Sequence, residues 1–217
     1  MAHWLGRKSI LSDNIVIIDY KMGNLKSVEK AFAKVGADVI ISNDSQIIKN
    51  ASKIVLPGVG AFKDGMKYLK ELGLIDVLHK EVLQNKKPFL GICLGMQLIA
   101  KKSYENGKTE GLGWIDGIVV KFDSSNLKVP HVGWNNVTYK KENVLFKDIP
   151  NSSDFYFVHS YHFTSLEDAV TSSTDYGDDF VSSLQKENIF AVQFHPEKSQ
   201  KVGLKFLENF VSFERKI

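Results

Sequence analysis

Short apolar runs alternate with helical segments through the first half of this 217-residue chain. The run NIVIID at residues 14–19 is continuous and rich in β-branched residues, which is typical of a strand buried on both faces of a sheet. Strands that alternate with helices of about ten residues form right-handed βαβ units and a parallel sheet. Strands are predicted at 14–19, 38–41, 53–56 and 88–92, and helices at 25–35, 44–50, 64–72, 75–85 and 94–102.

The pattern changes after Gly113, where strand-like segments follow one another with turns between them. They lie at residues 118–122, 129–139, 155–163, 169–173, 180–185 and 189–194, and an amphipathic helix closes the chain at 198–213. We expect one α/β domain over residues 14–217, with an open, mainly parallel, flavodoxin-like sheet flanked by helices and an antiparallel C-terminal portion. Residues 1–13 are interpreted as an extension that is disordered or not native.

Composition excludes several classes of protein. The net charge of +3 is spread along the chain, so no basic block indicates a nucleic-acid partner. No apolar run reaches the roughly 18 residues that span a membrane. A single cysteine excludes an intramolecular disulfide framework and a Cys-rich zinc site. We expect a cytoplasmic globular protein with no metal and no cofactor.

The one cysteine, Cys93, lies in the sequence Gly91-Ile92-Cys93-Leu94-Gly95, between a predicted strand and a predicted helix. A Gly-x-Cys-x-Gly at such a junction has the form of a nucleophile elbow, in which glycines let a strained residue project from the turn. The N–H of Leu94 would then point at an oxyanion. The alternative is a buried, inert cysteine, which is the common case for a lone thiol.

A thiolate nucleophile needs a base and a group that orients the base. His195 ends a predicted strand, and Pro196 stops the strand before Glu197, which can lie on the same side and hold the other ring nitrogen. A solvated turn is the alternative for His-Pro-Glu taken alone, and a zinc site would need a third ligand that the spacing does not offer. Together with the elbow, these residues predict a Cys93–His195–Glu197 triad.

A second oxyanion donor is predicted in Pro57-Gly58-Val59-Gly60, which follows the third strand. Ligand sites in open α/β sheets lie outside the carboxyl ends of the strands, so this loop should lie beside Cys93. The glycines would let the N–H of Val59 turn toward the site. An ordinary Pro-Gly turn is the alternative for this fragment by itself.

The motifs PGVG, GICLGMQ and FHPE, in this order, resemble the class I glutamine amidotransferases. Over residues 14–217 the chain is similar to the glutaminase subunit of imidazole glycerol phosphate synthase, through DY at 19–20 with MGNL at 22–25, PGVGAF at 57–62, PHVGWN at 130–135, YFVHSY at 156–161 and QFHPEKS at 193–199. The resemblance implies hydrolysis of L-glutamine through a thioester on Cys93. It also implies that glutamine is bound by Gly58, Gly60, Gln97, Glu105, Ser160 and Tyr161.

For Gln97 and Glu105, a place on a helix surface is the alternative. The resemblance further implies a heterodimer with a (β/α)₈-barrel cyclase, which receives ammonia through a channel and makes imidazole glycerol phosphate and AICAR for histidine biosynthesis. Asn24, Trp134 and Lys198 would face this partner, although a buried core position is equally compatible with Trp134. The family's oxyanion peptide stays unready until the partner is loaded, which would place an inducible peptide rotation at 58–60.

Lys21 departs from the family pattern, which has glycine there, and a long cation beside Gly23 and Asn24 could alter docking. A related glutaminase that supplies a surface-sugar amidotransferase therefore remains a second hypothesis. A third is a catalytically silent subunit that only regulates a barrel partner. The complete set of nucleophile, base, orienting carboxylate and oxyanion glycines disfavours this third hypothesis.

Overall fold

A computed structural model describes residues 14–123, 125, 127–165 and 168–214, so the predicted extension at 1–13 lies outside the described residues. The first half alternates strands and helices in the predicted order. Its elements are β1 (Ile15–Ile18), α1 (Leu25–Lys34), β2 (Val39–Ser42), α2 (Ser45–Asn50), β3 (Lys53–Gly58), α3 (Phe62–Glu71), α4 (Leu74–His79), β4 (Phe89–Cys93) and α5 (Leu94–Leu98). The four predicted strands of this half are confirmed.

The second half is dominated by strands, as expected. Its elements are β5 (Ala100–Ser103), β6 (Thr109–Glu110), β7 (Ile115–Lys121), β8 (His131–Tyr139), β9 (Ser153–His159), β10 (Tyr161–Ser165), β11 (Val170–Tyr176), β12 (Asp178–Lys186), β13 (Ile189–Val192) and α6 (Gln200–Val211). A nine-stranded sheet has the order β2-β1-β3-β4-β13-β12-β11-β8-β9, and a four-stranded sheet has the order β10-β7-β5-β6.

The large sheet is parallel from β2 to β13 and antiparallel from β13 to β9. Within the parallel part, β1 is buried on both faces of the sheet, because its successive residues pack into two different cores. Val16 and Ile18 join a cluster with α3 and α4, whereas Ile15 and Ile17 join a cluster with α1 and α6. The α/β class is confirmed, and the large sheet is mixed, with four parallel and four antiparallel strand pairings.

Three adjacent central strands, β3, β4 and β13, have their carboxyl ends side by side. Gly58 at the end of β3 is opposite Cys93 at the end of β4, and Val192 of β13 is opposite Ile92. The segment after β13 therefore leaves the sheet beside Cys93. This register places the predicted oxyanion loop, nucleophile and base within one region.

Three of the predicted elements were wrong in extent. The helix predicted at 94–102 ends at Leu98, and residues 100–103 instead form β5, whose backbone pairs with β7. The strand predicted at 155–163 breaks at Ser160, and its halves belong to different sheets. The helix predicted at 75–85 is α-helical only to His79 and continues as a π-helical turn over Lys80–Gln84.

No helix within the described part of the chain is both long and apolar enough to cross a membrane. Among the same residues, no group of three or more histidine, cysteine, aspartate or glutamate side chains is arranged to hold a metal ion.

Candidate active site

Cys93 occupies a strained turn at the end of β4. Its φ is 53° and its ψ is −107°, a backbone conformation that residues with a side chain rarely adopt. A Cβ atom at Gly91 would stand 2.8 Å from the carbonyl oxygen of Gly95, and one at Gly95 would stand 1.7 Å from the carbonyl oxygen of Leu56. Both flanking glycines are therefore required by close backbone approach, as the elbow motif predicts.

His195 and Glu197 form a buried pair directly after β13. Nδ1 of His195 lies 2.8 Å from Oε1 of Glu197, and each side chain is only 3% exposed. The backbone N–H of His195 donates to the carbonyl of Tyr156, and the Ser199 hydroxyl donates to the carbonyl of His195. The predicted hydrogen bond between imidazole and carboxylate is present, and the backbone of His195 is fixed by two further hydrogen bonds.

The charge on Cys93 and the Glu197 carboxylate decide the protonation of His195. Burial by itself lowers the pKa of His195, but the negative sulfur and the carboxylate outweigh burial and raise this pKa to about 10. Within the described residues, Nε2 of His195 is buried and has no hydrogen-bond partner of ordinary geometry. This nitrogen is therefore the one left to exchange a proton with the sulfur and with a substrate.

A cavity of about 390 Å³ opens in front of Cys93. It is lined by Val59, Gly60, Cys93, Leu94, Gln97, Glu105, Val158, His159, Ser160, Tyr161 and Lys198. The structure thus brings together the nucleophile, the predicted oxyanion residues and all but one of the predicted glutamine-binding residues. That one, Gly58, lies just behind the cavity wall, where a Cβ atom would stand 2.0 Å from the Tyr20 hydroxyl oxygen and 3.0 Å from Cβ of Leu94.

The loop after β3 contains an exposed valine followed by a glycine with positive φ. Val59 is 42% exposed, and Gly60 has a φ of 109°, which favours glycine. A Cβ atom at Gly60 would also stand 2.8 Å from Cε of Met22. The peptide around Val59 is therefore held by close packing on either side while its own side chain projects outward.

Gln97 and Glu105 are both anchored inside the protein, and neither lies on a helix surface. The Gln97 amide nitrogen donates to the carbonyl of Tyr161 at 2.9 Å and to Oε1 of Gln193 at 3.0 Å. Its carbonyl oxygen is consequently the atom left for a ligand. Oε2 of Glu105 accepts the N–H of Phe62 at 2.7 Å, which satisfies a free donor at the start of α3 and fixes the carboxylate at the cavity wall.

Residues 16–212 match the family model for class-I glutamine amidotransferases. This chain belongs to that family. It is therefore a glutamine-hydrolysing enzyme.

This amidotransferase is similar to curated proteins over nearly its whole length. It is 55% identical over 198 residues to imidazole glycerol phosphate synthase subunit HisH 1 of Campylobacter jejuni, covering 91% of this chain and 98% of that one. It is 50% identical over 197 residues to the HisH subunit of Aquifex aeolicus, covering 90% and 94%. A crystal structure of a glutamine amidotransferase, 19% identical, superposes with a TM-score of 0.70 over 90% of this chain and 98% of that one, which shows the shared fold.

The predicted partner-facing residues of the amidotransferase are found in two places. Trp134 is 46% exposed, so the buried-core alternative is wrong, and its ring lies 6.0 Å from that of Tyr156. The Lys198 ammonium lies 5.6 Å from the same Tyr156 ring, which joins the three side chains into one surface beside the cavity. Asn24 is exposed, and its side chain accepts the N–H of Ser27 as the N-cap of α1.

Lys21 has a local explanation in the amidotransferase. Its φ is 66°, where glycine is favoured, and its N–H donates to the Asp19 carboxylate. Its ammonium lies 5.3 Å from the centre of the Tyr68 ring on α3. The side chain is therefore placed against α3 of its own chain.

Two further residues at the site were missed by sequence reasoning. His159 lines the cavity, and the fully buried Gln193 lies 3.6 Å from the Cys93 sulfur through its amide nitrogen. Gln193 follows the apolar run IFAV, so a polar side chain at the end of a doubly buried strand was the available signal.

Proposed function

We propose that this amidotransferase is the glutaminase subunit of an imidazole glycerol phosphate synthase, working in the cytoplasm as a heterodimer with a barrel cyclase. The observation that carries the chemistry is the strained Cys93, which lines the cavity and interacts with the buried His195–Glu197 pair behind it. The names of relatives that are 50–55% identical over about nine-tenths of the chain support the histidine-biosynthetic partner.

In the proposed reaction, the Cys93 thiolate attacks the side-chain amide carbon of L-glutamine and forms a C–S bond. The negative charge that develops on the amide oxygen is met by the N–H groups of Val59 and Leu94, a term worth about 3 kcal/mol per donor in comparable sites. The His195 imidazolium then gives its Nε2 proton to the leaving nitrogen. The C–N bond breaks, ammonia departs, and a thioester remains on Cys93.

Water completes the cycle in the same site. His195, now neutral, accepts a proton from the attacking water, the C–S bond breaks, and glutamate leaves. Glu197 keeps the imidazole in one orientation through both steps and stabilises its charged form. The cysteine and histidine thus return to the starting thiolate–imidazolium pair.

Glutamine is a zwitterion, and the cavity wall offers acceptors for its ammonium group. The Glu105 carboxylate and the carbonyl oxygen of Gln97 are placed for this role, while the backbone at Gly60, Ser160 and Tyr161 supplies donors for the carboxylate. Ser160 lines the cavity at the break between β9 and β10, and its carbonyl oxygen accepts the N–H of Phe122.

Ammonia released into water at neutral pH becomes protonated and ceases to be a nucleophile, so the product has to pass directly to the acceptor. The surface formed by Trp134, Tyr156 and Lys198 borders the cavity, which suits a partner that closes over it. We further infer that the peptide at 58–60 rotates into its oxyanion-binding orientation when this partner is loaded. Equal glutamine turnover by the isolated chain and by the loaded complex would contradict that rotation.

The test is reconstitution with the barrel cyclase of the same organism. We expect a stable heterodimer that makes imidazole glycerol phosphate from glutamine, and a Cys93→Ala complex that still forms but works only with added ammonium salt. Glutamine-dependent synthesis by Cys93→Ala would overturn the thioester chemistry. Failure to pair with the cyclase, with activity restored by a surface-sugar amidotransferase, would replace the pathway and keep the chemistry.

A further inference from the structure

Gln193 contacts the sulfur on which the proposed reaction depends. It follows β13 directly, is fully buried, and its backbone N–H donates to Ser182 of β12. Its side-chain nitrogen lies 3.6 Å from Sγ of Cys93, within the range of an N–H···S hydrogen bond. The carbonyl of Val158, at 4.0 Å from the same sulfur, can only accept a hydrogen bond.

The orientation of the Gln193 amide is set by its neighbours. The carbonyl of Tyr161 can only accept, so the Gln97 atom 2.9 Å from it must be the amide nitrogen. The second hydrogen of that nitrogen is donated to Gln193, which must present its oxygen at 3.0 Å. The nitrogen of Gln193 is therefore left to face the sulfur.

A pair of buried histidines supports the same carbonyl from the other side. Nδ1 of His159 lies 2.9 Å from the Tyr161 oxygen and must carry the proton, which makes Nε2 an acceptor. Nδ1 of His131 lies 3.1 Å from that Nε2, and the Asn135 amide lies 3.4 Å from Nε2 of His131. Burial lowers the pKa of His131 to about 4 and of His159 to about 3, so both rings are neutral and each keeps one tautomer.

We propose that the Gln193 amide donates a hydrogen bond to the Cys93 thiolate and holds the sulfur for attack, with its orientation fixed through Gln97, the Tyr161 carbonyl and the His159–His131 pair. A donor on the anionic sulfur stabilises the charged nucleophile and restricts its rotation. Gln193 does not line the cavity, and it reaches bound glutamine only through Gln97, which keeps its hydrogen bond to the carbonyl of Tyr161 when Gln193 is replaced. This inference rests on the proposed function of Cys93.

Other titratable groups also surround the sulfur, and their effects have to be separated from that of Gln193. They are His195 and Glu197 after β13, Tyr20 after β1, His159 at the end of β9, and Glu105 and Lys198 at the cavity wall. None of them is altered by a substitution at Gln193. A shift in thiol reactivity in that variant therefore reports the amide itself.

The experiment uses the fact that the chain has one cysteine. Alkylation by iodoacetamide, followed by mass spectrometry across a range of pH, gives the midpoint at which Cys93 becomes reactive. For Gln193→Leu we expect this midpoint to rise by about one pH unit, the low end for a hydrogen bond to a charged group. In the complex with the cyclase, kcat should fall about tenfold while the KM for glutamine stays within about twofold. Gln185→Leu, on β12, is the matched control and should change neither value.

Gln193→Glu is the second variant, because its shape is conserved and it can still accept from Gln97. A carboxylate beside the sulfur should raise the midpoint further than Leu does. His131→Phe should move the midpoint in the same direction by a smaller amount, since it removes the donor to His159. Unchanged midpoints in both Gln193 variants would overturn the proposal even if Cys93→Ala abolishes glutamine hydrolysis. A shift in the Gln193 variants without any shift in His131→Phe would overturn the supporting role of the histidine pair.

Discussion

The Tyr20 hydroxyl is buried behind the oxyanion loop without a hydrogen-bond partner among the described residues. Burial, together with the charge on Cys93, raises the pKa of Tyr20, so the group remains a neutral O–H. An unsatisfied buried hydroxyl costs about 1–3 kcal/mol, whereas removing one oxygen leaves only a small void. Tyr20→Phe should therefore raise the free energy of unfolding by about 1 kcal/mol, which corresponds to a Tm increase of about 2–4 °C at this chain length.

Urea unfolding measures this change through the transition midpoint, provided that the slope m is unchanged. Tyr139→Phe is the matched control, because the single hydrogen of the Tyr139 hydroxyl has two carbonyl acceptors within reach, those of Ile149 and Pro150, and its removal should lower stability by about 1 kcal/mol. If Tyr20→Phe lowered stability as much as Tyr139→Phe does, the Tyr20 hydroxyl would have a partner and the reasoning would be refuted.

A double-mutant cycle extends this test to the oxyanion loop. Ala at position 58 would place Cβ 2.0 Å from the Tyr20 oxygen, so Gly58→Ala should cost about 3 kcal/mol in the wild-type background. In the Tyr20→Phe background the cost should fall by at least about 1 kcal/mol, while the contact with Leu94 at 3.0 Å keeps the rescue partial. Additive effects of the two substitutions would show that the two groups do not meet.

Three further predictions concern acid stability, substrate binding and docking. Because the pKa values of His131 and His159 are about 4 and 3 when folded, the unfolded chain binds more protons below pH 6.5. The free energy of unfolding should therefore decrease as the pH is lowered from about 6.5 to 4. In His131→Phe, the slope of this free energy against pH, measured by urea unfolding, should be shallower by up to about 1.4 kcal/mol per pH unit. An unchanged slope would contradict the neutral ring. Glu105→Gln should raise the KM for glutamine about tenfold or more with kcat little changed, because the new amide still accepts the Phe62 N–H but carries no charge. The control Glu110→Gln, at an exposed glutamate, should leave KM unchanged. An unchanged KM in Glu105→Gln would show that this carboxylate does not bind glutamine. Trp134→Ala should weaken cyclase binding at least about tenfold in calorimetry with an unchanged Tm. The control Val144→Ala, at another exposed apolar residue, should bind the cyclase normally. Equal affinities of Trp134→Ala and the wild type for the cyclase would place the interface elsewhere.

Periodicity predicted the parallel half of the fold because β1, β3 and β4 are buried on both faces. Residues 15–18 carry four apolar side chains that divide between two cores, and no amphipathic helix would bury them all in this way. The helix predicted at 94–102 was wrong in its second half, because a distant strand determines the structure there. Its apolar spacing is real up to Leu98, but residues 100–103 are fixed by pairing with β7, which begins at Ile115. A single-sequence pattern does not contain such a non-local partner.

The triad could be proposed from the sequence because the signals for each of its members are local. Flanking glycines, a strand end and a Pro break all leave traces within a few residues of Cys93 and His195. The support around the sulfur could not be predicted in this way, because Gln97, Tyr161 and Gln193 meet only after three separate segments have packed together. The partner surface could be predicted only in part. The sequence identified Trp134 as a candidate, but its exposure depends on the packing of β8 and β9.

The identity of the nucleophile is tested most directly by trapping the covalent intermediate. The cyclase-loaded complex is mixed with glutamine, quenched in acid during turnover and digested for peptide mass mapping. We predict a glutamyl group on the peptide that contains Cys93 in the wild type, and no modified peptide in Cys93→Ala, which also releases no glutamate. A glutamyl group on another residue, or continued glutamate release by Cys93→Ala, would contradict a thioester on Cys93.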